Sequence, residues 1–458
     1  MISELALLLI KLAVAIGVNA LFLLWLLPWV ARQWREATGW WRGAFAVGLG
    51  LRLGTGLAKN WHLKLDANYM SSVGDVVTEQ LWLAPLNFLQ MLTQSVTVLP
   101  NVTGKYLFVY QSSSNTWNLA KILSLLNLGS LGCAQVNSLY LSVFTFVGCW
   151  MLVRALATCF PATPAGAGVV ALLLWPSVWF WAAGISKEAV LLGSGAWLTA
   201  RVFAWLYAGE APASAPAVAR GGGWWVGTAA LAVLHVAMRY FFALPLLAVL
   251  AGLAVGRGLE RLLPRRWAAV LGVVAVFGVG AWVGPEISVA FRLNKFVYQV
   301  IKVYSYDVAQ SADRPHFEYP DLRPTASSIA AHAPRAVANV FTQPWPGQSR
   351  QPLYLAAGLE NAVLLLLLAL AVWALVRGRG GHLPFSVVFA LGVFCVLLAF
   401  LIGITTPNLG SLHRYRSTLL PFLLLLLLQN DYAAGALRRL VSRMRPFTQF
   451  RPARTPNA

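Results

Sequence analysis

The chain alternates long apolar runs with shorter polar stretches that carry most of its charges. A transmembrane helix needs roughly 20 mostly apolar residues, so each run that approaches this length predicts one. We predict about eleven such helices, at 5–31, 43–58, 136–156, 166–184, 189–208, 224–238, 240–256, 267–285, 354–376, 384–404 and 416–431. The pattern therefore predicts an all-α, polytopic integral membrane protein.

Two of these predictions decide the topology of the others. The run 43–58 is short and contains Arg52, and the run 224–256 is divided into two half-length helices at Arg239. If 224–256 formed one long helix, every helix before it would have the opposite orientation. The division at Arg239 therefore decides the predicted orientation of every helix before it.

Two long segments separate the apolar runs, 59–135 and 286–353. The first carries apolar residues at helical spacing, which is typical of helices that lie along a membrane surface. The second begins with a predicted helix, ISVAFRLNKFVYQVIKVYSYD, and continues into the proline-rich stretch PHFEYPDLRPT, which predicts irregular structure. We predict one transmembrane domain over 1–431 that includes both segments, followed by a basic cytoplasmic tail over 432–458.

Composition agrees with a membrane protein. Hydrophobic residues make up 59% of the chain and charged residues only 11%, whereas soluble domains carry roughly a quarter charged residues. The net charge of +20 is spread among apolar runs and is not gathered on a soluble module. This distribution favours the lipid bilayer as the partner and argues against nucleic acid. The four cysteines have no metal-ligand spacing, so they predict neither a zinc site nor a disulfide framework.

The basic residues also predict an orientation, because positive charge in short loops favours the cytoplasm. The loops on the side of the C-terminus carry arginine alone, whereas every lysine except Lys11 lies on the other side. We therefore predict an outside N-terminus and a cytoplasmic C-terminus. Both long segments then form large loops on the outer face.

Four groups of polar residues fall on this predicted outer face. They are Asp66 with Tyr69, followed by Asp75 and Glu79; Lys187 with Glu188; Arg239 with Tyr240; and His413-Arg414-Tyr415-Arg416. A carboxylate can deprotonate an acceptor hydroxyl or hold a divalent cation. Lysine and arginine can neutralise a phosphate leaving group. Acids on a first loop facing cations at several helix ends therefore suit a lipid-phosphate substrate.

Each group also has a purely structural interpretation. Asp66 and Asp75 can be solvated loop acids, and Lys187 and Glu188 a local ion pair at a turn between helices. Arginines at helix ends commonly extend their charged groups to the membrane interface. Glu360, near the start of the run 354–376, is an interfacial or intramembrane carboxylate. The residues alone leave both interpretations open.

The order of elements resembles the GT-C superfamily of polytopic glycosyltransferases, which use polyprenyl-phosphate-linked sugars. The pieces that carry the resemblance are DANYM, SSNTWNLAKILSLLNLGS, WPSVWFWAAGISKEAV, MRYFFALPLL and HRYRSTLLPFLLLL, spread over most of residues 60–430. The chain is most similar to uncharacterised bacterial members that accompany polysaccharide genes. It departs from the usual acid pattern of the first loop, because Leu65 precedes a single Asp66.

The resemblance implies a GT-C-like fold and a role for each candidate residue. Asp66 would be the general base or a ligand of a divalent cation (Mg or Mn), with Asp75 as a second catalytic candidate. Substrate-binding roles would fall to Tyr69, Lys187, Glu188, Arg239, His413, Arg414 and Arg416. Glu188 would act mainly by holding its neighbour in place.

The implied reaction moves a sugar from a polyprenyl-phosphate donor to a glycan, lipid or protein acceptor, at the outer face of a bacterial inner membrane. Three alternatives stay open at this point. They are a polysaccharide polymerase or ligase, a transporter or flippase of lipid-linked glycans, and a non-catalytic relative with the same fold.

Overall fold

A computed structural model describes the backbone of residues 4–62, 64–94, 96–100, 107–111, 114–207 and 221–442. Side chains are described for the same residues except 60–62, 64–66, 96–100, 107–111, 441 and 442. The first half of the chain forms α1 (Glu4–Glu36), α2 (Trp40–His62), α3 (Lys64–Leu83), α4 (Pro85–Thr93), β1 (Val96–Pro100), β2 (Leu107–Gln111), α5 (Asn115–Ser130), α6 (Ala134–Cys159), α7 (Ala165–Val169), a π-helical turn (Val170–Leu174), α8 (Pro176–Trp181) and α9 (Lys187–Tyr207).

The second half of the chain is also mainly helical. Its elements are α10 (Gly222–Met238), α11 (Tyr240–Leu259), α12 (Arg265–Ile287), a 3-10 turn (Val289–Phe291), α13 (Leu293–Ala309), α14 (Ala326–Thr342), α15 (Pro352–Val376), α16 (Phe385–Thr405), α17 (Leu409–Arg416), α18 (Leu420–Leu428) and α19 (Asp431–Ser442). The predicted polytopic, helical membrane class is thereby confirmed.

In the described part of the chain, seven helices are long and apolar enough to cross a membrane: α1, α6, α9, α11, α12, α15 and α16. The pair α18 and α19, bent by 93°, could supply an eighth. The predicted runs 43–58 and 224–238 do form helices, α2 and α10, but these fall outside that set. The larger number of eleven therefore stays a prediction. The break at Arg239 is present, because α10 ends at Met238 and α11 begins at Tyr240.

The prediction of an all-α chain misses one feature, a hairpin in the first long segment. Strands β1 and β2 pair antiparallel, with Val96 opposite Gln111 and Val98 opposite Val109. Their sequences, VTVLP and LFVYQ, are rich in the β-branched and aromatic residues that favour strands. Most other described residues of this segment are helical, in the end of α2 and in α3, α4 and α5.

Helices α6 and α9 form the centre of the bundle. Within their spanning windows 78% and 67% of residues are buried, against 22% in α12 and α15. The two helices approach closely at paired glycines, because a Cβ added to Gly148 would lie 2.1 Å from the carbonyl oxygen of Gly193. Small residues let transmembrane helices pack backbone to backbone. This contact fixes α9, whose first turn carries Lys187 and Glu188.

The predicted helix 166–184 is wrong as a continuous span, because it breaks at Trp175. The break fits the sequence, since Pro176 disfavours a helical conformation at the residue before it. A π turn precedes the break and the short helix α8 follows it. Glycine 184 then adopts a φ of +69°, which allows the chain to turn into α9.

Two cations of α2 satisfy the carbonyls that this break leaves open. The buried Arg52 donates to the carbonyls of Leu172, Val178 and Ala182 at 3.0, 3.1 and 2.8 Å. About two turns later, Lys59 donates to three more carbonyls at the end of α8, those of residues 180, 181 and 183. Irregular backbone at membrane depth requires such internal partners. Arg52, the charged residue within the predicted run 43–58, therefore has a structural role: it binds backbone carbonyls around the break.

Glu360 of α15 completes the same arrangement at the other end of α8. Its carboxylate accepts hydrogen bonds from the backbone N–H and the hydroxyl of Ser177, and from the indole N–H of Trp175. An acidic group at a helix N-terminus and cations at its C-terminus both complement the helix dipole. Glu360 is thus a structural carboxylate that holds α8 in place.

Candidate functional site

A carboxylate in the first turn of α9, Glu188, binds two arginines that are distant in the sequence, Arg239 and Arg414. Glu188, whose side chain is 1% exposed, accepts a hydrogen bond from Arg239 Nη2 at 3.0 Å and from Arg414 Nε at 2.9 Å. A buried carboxylate is tolerated when it is paired and hydrogen-bonded in this way. Glu188 therefore joins α9 to the α10–α11 break and to α17. The sequence predicted only that Glu188 holds the neighbouring Lys187 in place.

Lys187 points to a different partner, the start of α5. Its ammonium group donates to Asn115 Oδ1 and Thr116 Oγ1, both at 2.9 Å. These two residues occupy the first turn of α5, which Ser114 caps by accepting from the backbone N–H of Trp117. The helix start is thereby ordered, and it presents two polar side chains to the lysine.

Arg239 lies at the break between α10 and α11, beside aromatic rings. Its guanidinium carbon is 3.8 Å from the ring centre of Tyr415 and 5.0 Å from that of Phe242. Guanidinium groups are attracted to aromatic faces at these distances. Together with the bond to Glu188, the rings hold Arg239 in a defined orientation.

Lys187 and Arg239 line one end of a cavity of about 380 Å³, which we call the main cavity. The wall consists of residues from α5, α9, the α10–α11 break, α11, α13, α16 and α17: Asn115, Lys187, Arg239, Tyr240, Phe241, Phe242, Phe296, Gln299, Val300, Val303, Leu401, Thr405, Thr406 and Tyr415. Among these described residues two are cationic and none is acidic. The cavity thus combines a cationic end with a largely aromatic and aliphatic wall.

A smaller cavity of about 70 Å³ adjoins the main cavity, because Lys187, Arg239 and Tyr415 belong to both linings. Arg414 and Met70 also line it. Met70 lies one helical turn after Asp66 on α3, so the helix that carries Asp66 reaches this site. The side chain of Asp66 itself lies outside the described residues, and its predicted role stays a prediction.

Two other candidates of the first long segment lie elsewhere. Asp75 accepts a hydrogen bond from Asn127 Nδ2 at 2.9 Å, and Asn127 is 12 residues beyond Asn115 on α5. That separation corresponds to about 18 Å along the helix. Burial raises the pKa of Asp75 above its ordinary value, while the bond from Asn127 opposes this shift. Tyr69 is 36% exposed and lines neither cavity.

Arg416 is directed into the protein and away from the main cavity. It is 1% exposed and donates through Nη1 to the carbonyls of Val340 and Gln343 and to Asn361 Oδ1, at 3.2, 2.7 and 2.7 Å. These contacts fasten α17 to α14 and α15. The predicted phosphate-binding role of Arg416 has no support in this geometry, whereas a structural role accounts for all three bonds.

His413 is likewise a buried residue of the interior. Its Nδ1 accepts a hydrogen bond from the indole N–H of Trp181 at 3.0 Å, which links α17 to α8. Burial and the neighbouring charge of Arg416 hold the pKa of His413 well below its ordinary value. A neutral histidine that is 6% exposed and lines neither cavity does not fit the predicted contact with substrate.

Several residues of the site have no distinctive signal in the sequence. Asn115 and Thr116 lie within the motif SSNTWNLAKILSLLNLGS, but nothing in the sequence connects them to Lys187, which is 72 and 71 residues away. The signal for the α13 wall was present, because Phe296, Val300 and Val303 recur at the spacing of one helix face. Helical periodicity identifies the face, whereas its partner across the cavity depends on tertiary structure.

A metal site is a separate question. Among the residues with described side chains, no three His, Cys, Asp or Glu residues lie close enough together to hold a metal ion. The predicted Mg or Mn depends on Asp66, whose side chain is not among them. The divalent cation therefore stays a prediction.

Fold and site together define a multi-pass helical membrane protein with a cavity that is cationic at one end and apolar along its wall. No family model, curated protein or solved structure matches the chain. The function must therefore be argued from the cavity and from the sequence motifs.

Proposed function

We propose that the protein is a GT-C-type membrane glycosyltransferase that moves a sugar from a polyprenyl-phosphate donor to a glycan, lipid or protein acceptor. The reaction would take place at the outer face of a bacterial inner membrane. The main cavity is the observation that carries this proposal. It offers cations and an apolar wall within one cavity of a multi-pass membrane protein, which is the combination a lipid phosphate requires.

The phosphate of the donor fits the cationic end. Lys187 and Arg239 supply charge there, and hydrogen bonds from ionised donors to phosphate are among the stronger ones in proteins. Glu188 keeps Arg239 from rotating away, because it holds Nη2 at 3.0 Å. A preorganised cation stabilises developing negative charge without reorganisation during the reaction.

The polyprenyl chain fits the apolar part of the lining. Phe241, Phe296, Val300 and Leu401 belong to this part of the main cavity. Contact with such side chains removes apolar surface from water at roughly 25 cal/mol per Å². The volume of about 380 Å³ is within the range of small-molecule sites, about 300–1,000 Å³. It suits the phosphate, the sugar and the first part of the lipid, with the remaining lipid in the bilayer.

The proposed chemistry is a direct displacement at the anomeric carbon. The acceptor oxygen forms a bond to that carbon while the bond from carbon to phosphate oxygen breaks, and the polyprenyl phosphate departs. Cations at the phosphate accelerate this step when they bind the departing group more strongly than the ground state. Asp66, on the helix that reaches the smaller cavity through Met70, is the proposed base or metal ligand.

A transporter or flippase is a less suitable function. Transporters commonly use the open ends of broken helices to hold ions or substrate, and α7 and α8 form such a broken helix. Here, however, Glu360 binds the start of α8, and Arg52 and Lys59 bind the carbonyls around it. Because protein groups already occupy these ends, the broken segment serves the fold.

The proposal is tested by transfer from a radiolabelled polyprenyl-phosphate sugar, with the purified protein in detergent. We expect Asp66→Asn to abolish most transfer and Asp75→Asn, as a matched control on the same helix, to leave it intact. A polymerase or ligase without a carboxylate on this loop would keep its activity in both variants. Near wild-type transfer by Asp66→Asn would remove Asp66 from the mechanism.

A further inference from the structure

The helix α13 carries a carboxylate on the face that lines the main cavity. Phe296, Val300 and Val303 of this face belong to the lining, and Asp307 follows Val303 by four residues. The spacing continues the same helical stripe. Asp307 therefore lies one turn, about 6 Å, beyond the last lining residue of α13.

A second contact connects Asp307 to the segment between α16 and α17, which also contributes to the lining. Its Oδ2 accepts a hydrogen bond from the backbone N–H of Asn408 at 3.3 Å. Asn408 follows the lining residue Thr406 by two positions. Asp307 and Asn408 are not lining residues themselves, but each lies within four residues of one, on α13 and on the connection from α16 to α17.

The environment of Asp307 suits proton transfer. The residue is partly buried, and its Oδ1 makes no hydrogen bond within the described part of the chain. Burial raises the pKa of the Asp307 carboxyl above its ordinary value, against the opposing effects of the Asn408 bond and of His316. A base becomes more effective as its pKa moves from that of a solvated acid towards the working pH.

The other carboxylates discussed above are already engaged. Glu188 accepts from two guanidinium groups, Glu360 holds the start of α8, and Asp75 accepts from Asn127. Asp313 and Asp321 are exposed on the connection that follows α13. Asp307 differs from all of these, since it is partly buried, lies one helical turn from the lining and has one oxygen that accepts no hydrogen bond from the described residues.

We propose that Asp307 is the residue that takes the proton from the acceptor hydroxyl, an assignment that rests on the proposed glycosyltransferase function. The proton moves from the acceptor oxygen to Asp307 Oδ1 as that oxygen bonds to the anomeric carbon. The bond from this carbon to the phosphate oxygen breaks, and its electron pair leaves with the polyprenyl phosphate. Of the two roles proposed above for Asp66, that of a ligand of a divalent cation then remains.

Two substitutions separate this chemistry from a purely structural role. In Asp307→Asn the amide oxygen can still accept from the N–H of Asn408, but the side chain cannot take a proton. In Asp307→Ala both properties are lost. A structural role predicts near wild-type transfer by Asp307→Asn and reduced transfer by Asp307→Ala, whereas the proposed role predicts that both lose transfer.

The decisive experiment compares transfer by wild type, Asp307→Asn, Asp307→Ala and the exposed control Asp313→Asn. We expect both Asp307 variants to lose about 100-fold or more, the scale of general base catalysis, and the control to match wild type. Stabilisation by polyprenyl phosphate in a thermal melt should persist in Asp307→Asn, which shows that the variant is folded and binds donor phosphate.

The outcomes distinguish this assignment from the function on which it rests. Transfer by Asp307→Asn within threefold of wild type would refute the role of Asp307 and leave the glycosyltransferase proposal intact. Loss of polyprenyl-phosphate binding in Asp307→Asn would also refute it, because the residue would then act through the position of α17. A wild-type protein that transfers no sugar from polyprenyl phosphate would overturn both proposals.

Discussion

Removing the charge of Glu188 tests how much its ion pairs with Arg239 and Arg414 stabilise the protein. The substitution Glu188→Gln preserves the shape of the side chain and removes its charge, while Arg239 and Arg414 stay 11% and 22% exposed. Breaking a buried ion pair by removing one partner costs about 3–5 kcal/mol, because the remaining charge is left uncompensated. Glutamine can still accept one of the two hydrogen bonds, so we expect a loss near the lower end, about 3 kcal/mol.

Equilibrium unfolding in mixed detergent micelles measures this loss as a change in the free energy of unfolding. Glu318→Gln is the matched control, since Glu318 is 56% exposed and surface substitutions change stability by about 0.5 kcal/mol or less. In an Arg414→Gln background the loss caused by Glu188→Gln should shrink by about 0.5–3 kcal/mol, the usual coupling of contacting residues. A loss below about 1 kcal/mol in the single variant would refute the buried-pair account.

Three further predictions follow from the fold. Arg52→Met should destabilise the protein in the same unfolding assay, because the carbonyls of Leu172 and Ala182 lose their hydrogen bonds from Arg52 at about 1–3 kcal/mol each; an unchanged free energy of unfolding would contradict this. Gly148→Ala should lower the thermal midpoint, since its Cβ would lie 2.1 Å from the carbonyl of Gly193, whereas Gly278→Ala has open space and should not. Asp75→Asn should stabilise the protein at pH 7, because the pKa of Asp75 is raised in the fold and its ionised form is disfavoured there. That gain should vanish as the pH falls below the ordinary carboxyl pKa of 3.8, where both states are protonated; a gain that persists at low pH would point to another cause.

Local signals in the sequence predicted the helices well and their partners poorly. Apolar length predicted α6, α9 and α16 within two or three residues at most of their ends. The division at Arg239 followed from the half-length runs on either side. The break at Trp175 also had a local signal, Pro176, although an unbroken apolar run concealed it.

Contacts between distant residues had no such signal. Arg52 meets its carbonyl partners 120 to 130 residues later, and Glu188 meets Arg414 226 residues later. The polar groups of the site were recognised one at a time, as costly residues at helix ends. Which of these groups share a cavity depends on how the helices pack. Lys187 and Arg239 line the main cavity, whereas Arg416 and His413 are buried and line neither cavity.

Binding of polyprenyl phosphate is the measurement that tests the central claim most directly. The phosphate should raise the thermal midpoint of the wild-type protein in nanodiscs, and polyprenol without phosphate should raise it less. Lys187→Gln should lose most of the phosphate-dependent part, whereas Lys302→Gln, an exposed lysine on α13 that does not line the main cavity, should keep it. Equal stabilisation of the three proteins by polyprenyl phosphate and by polyprenol would contradict a lipid-phosphate site at this cavity.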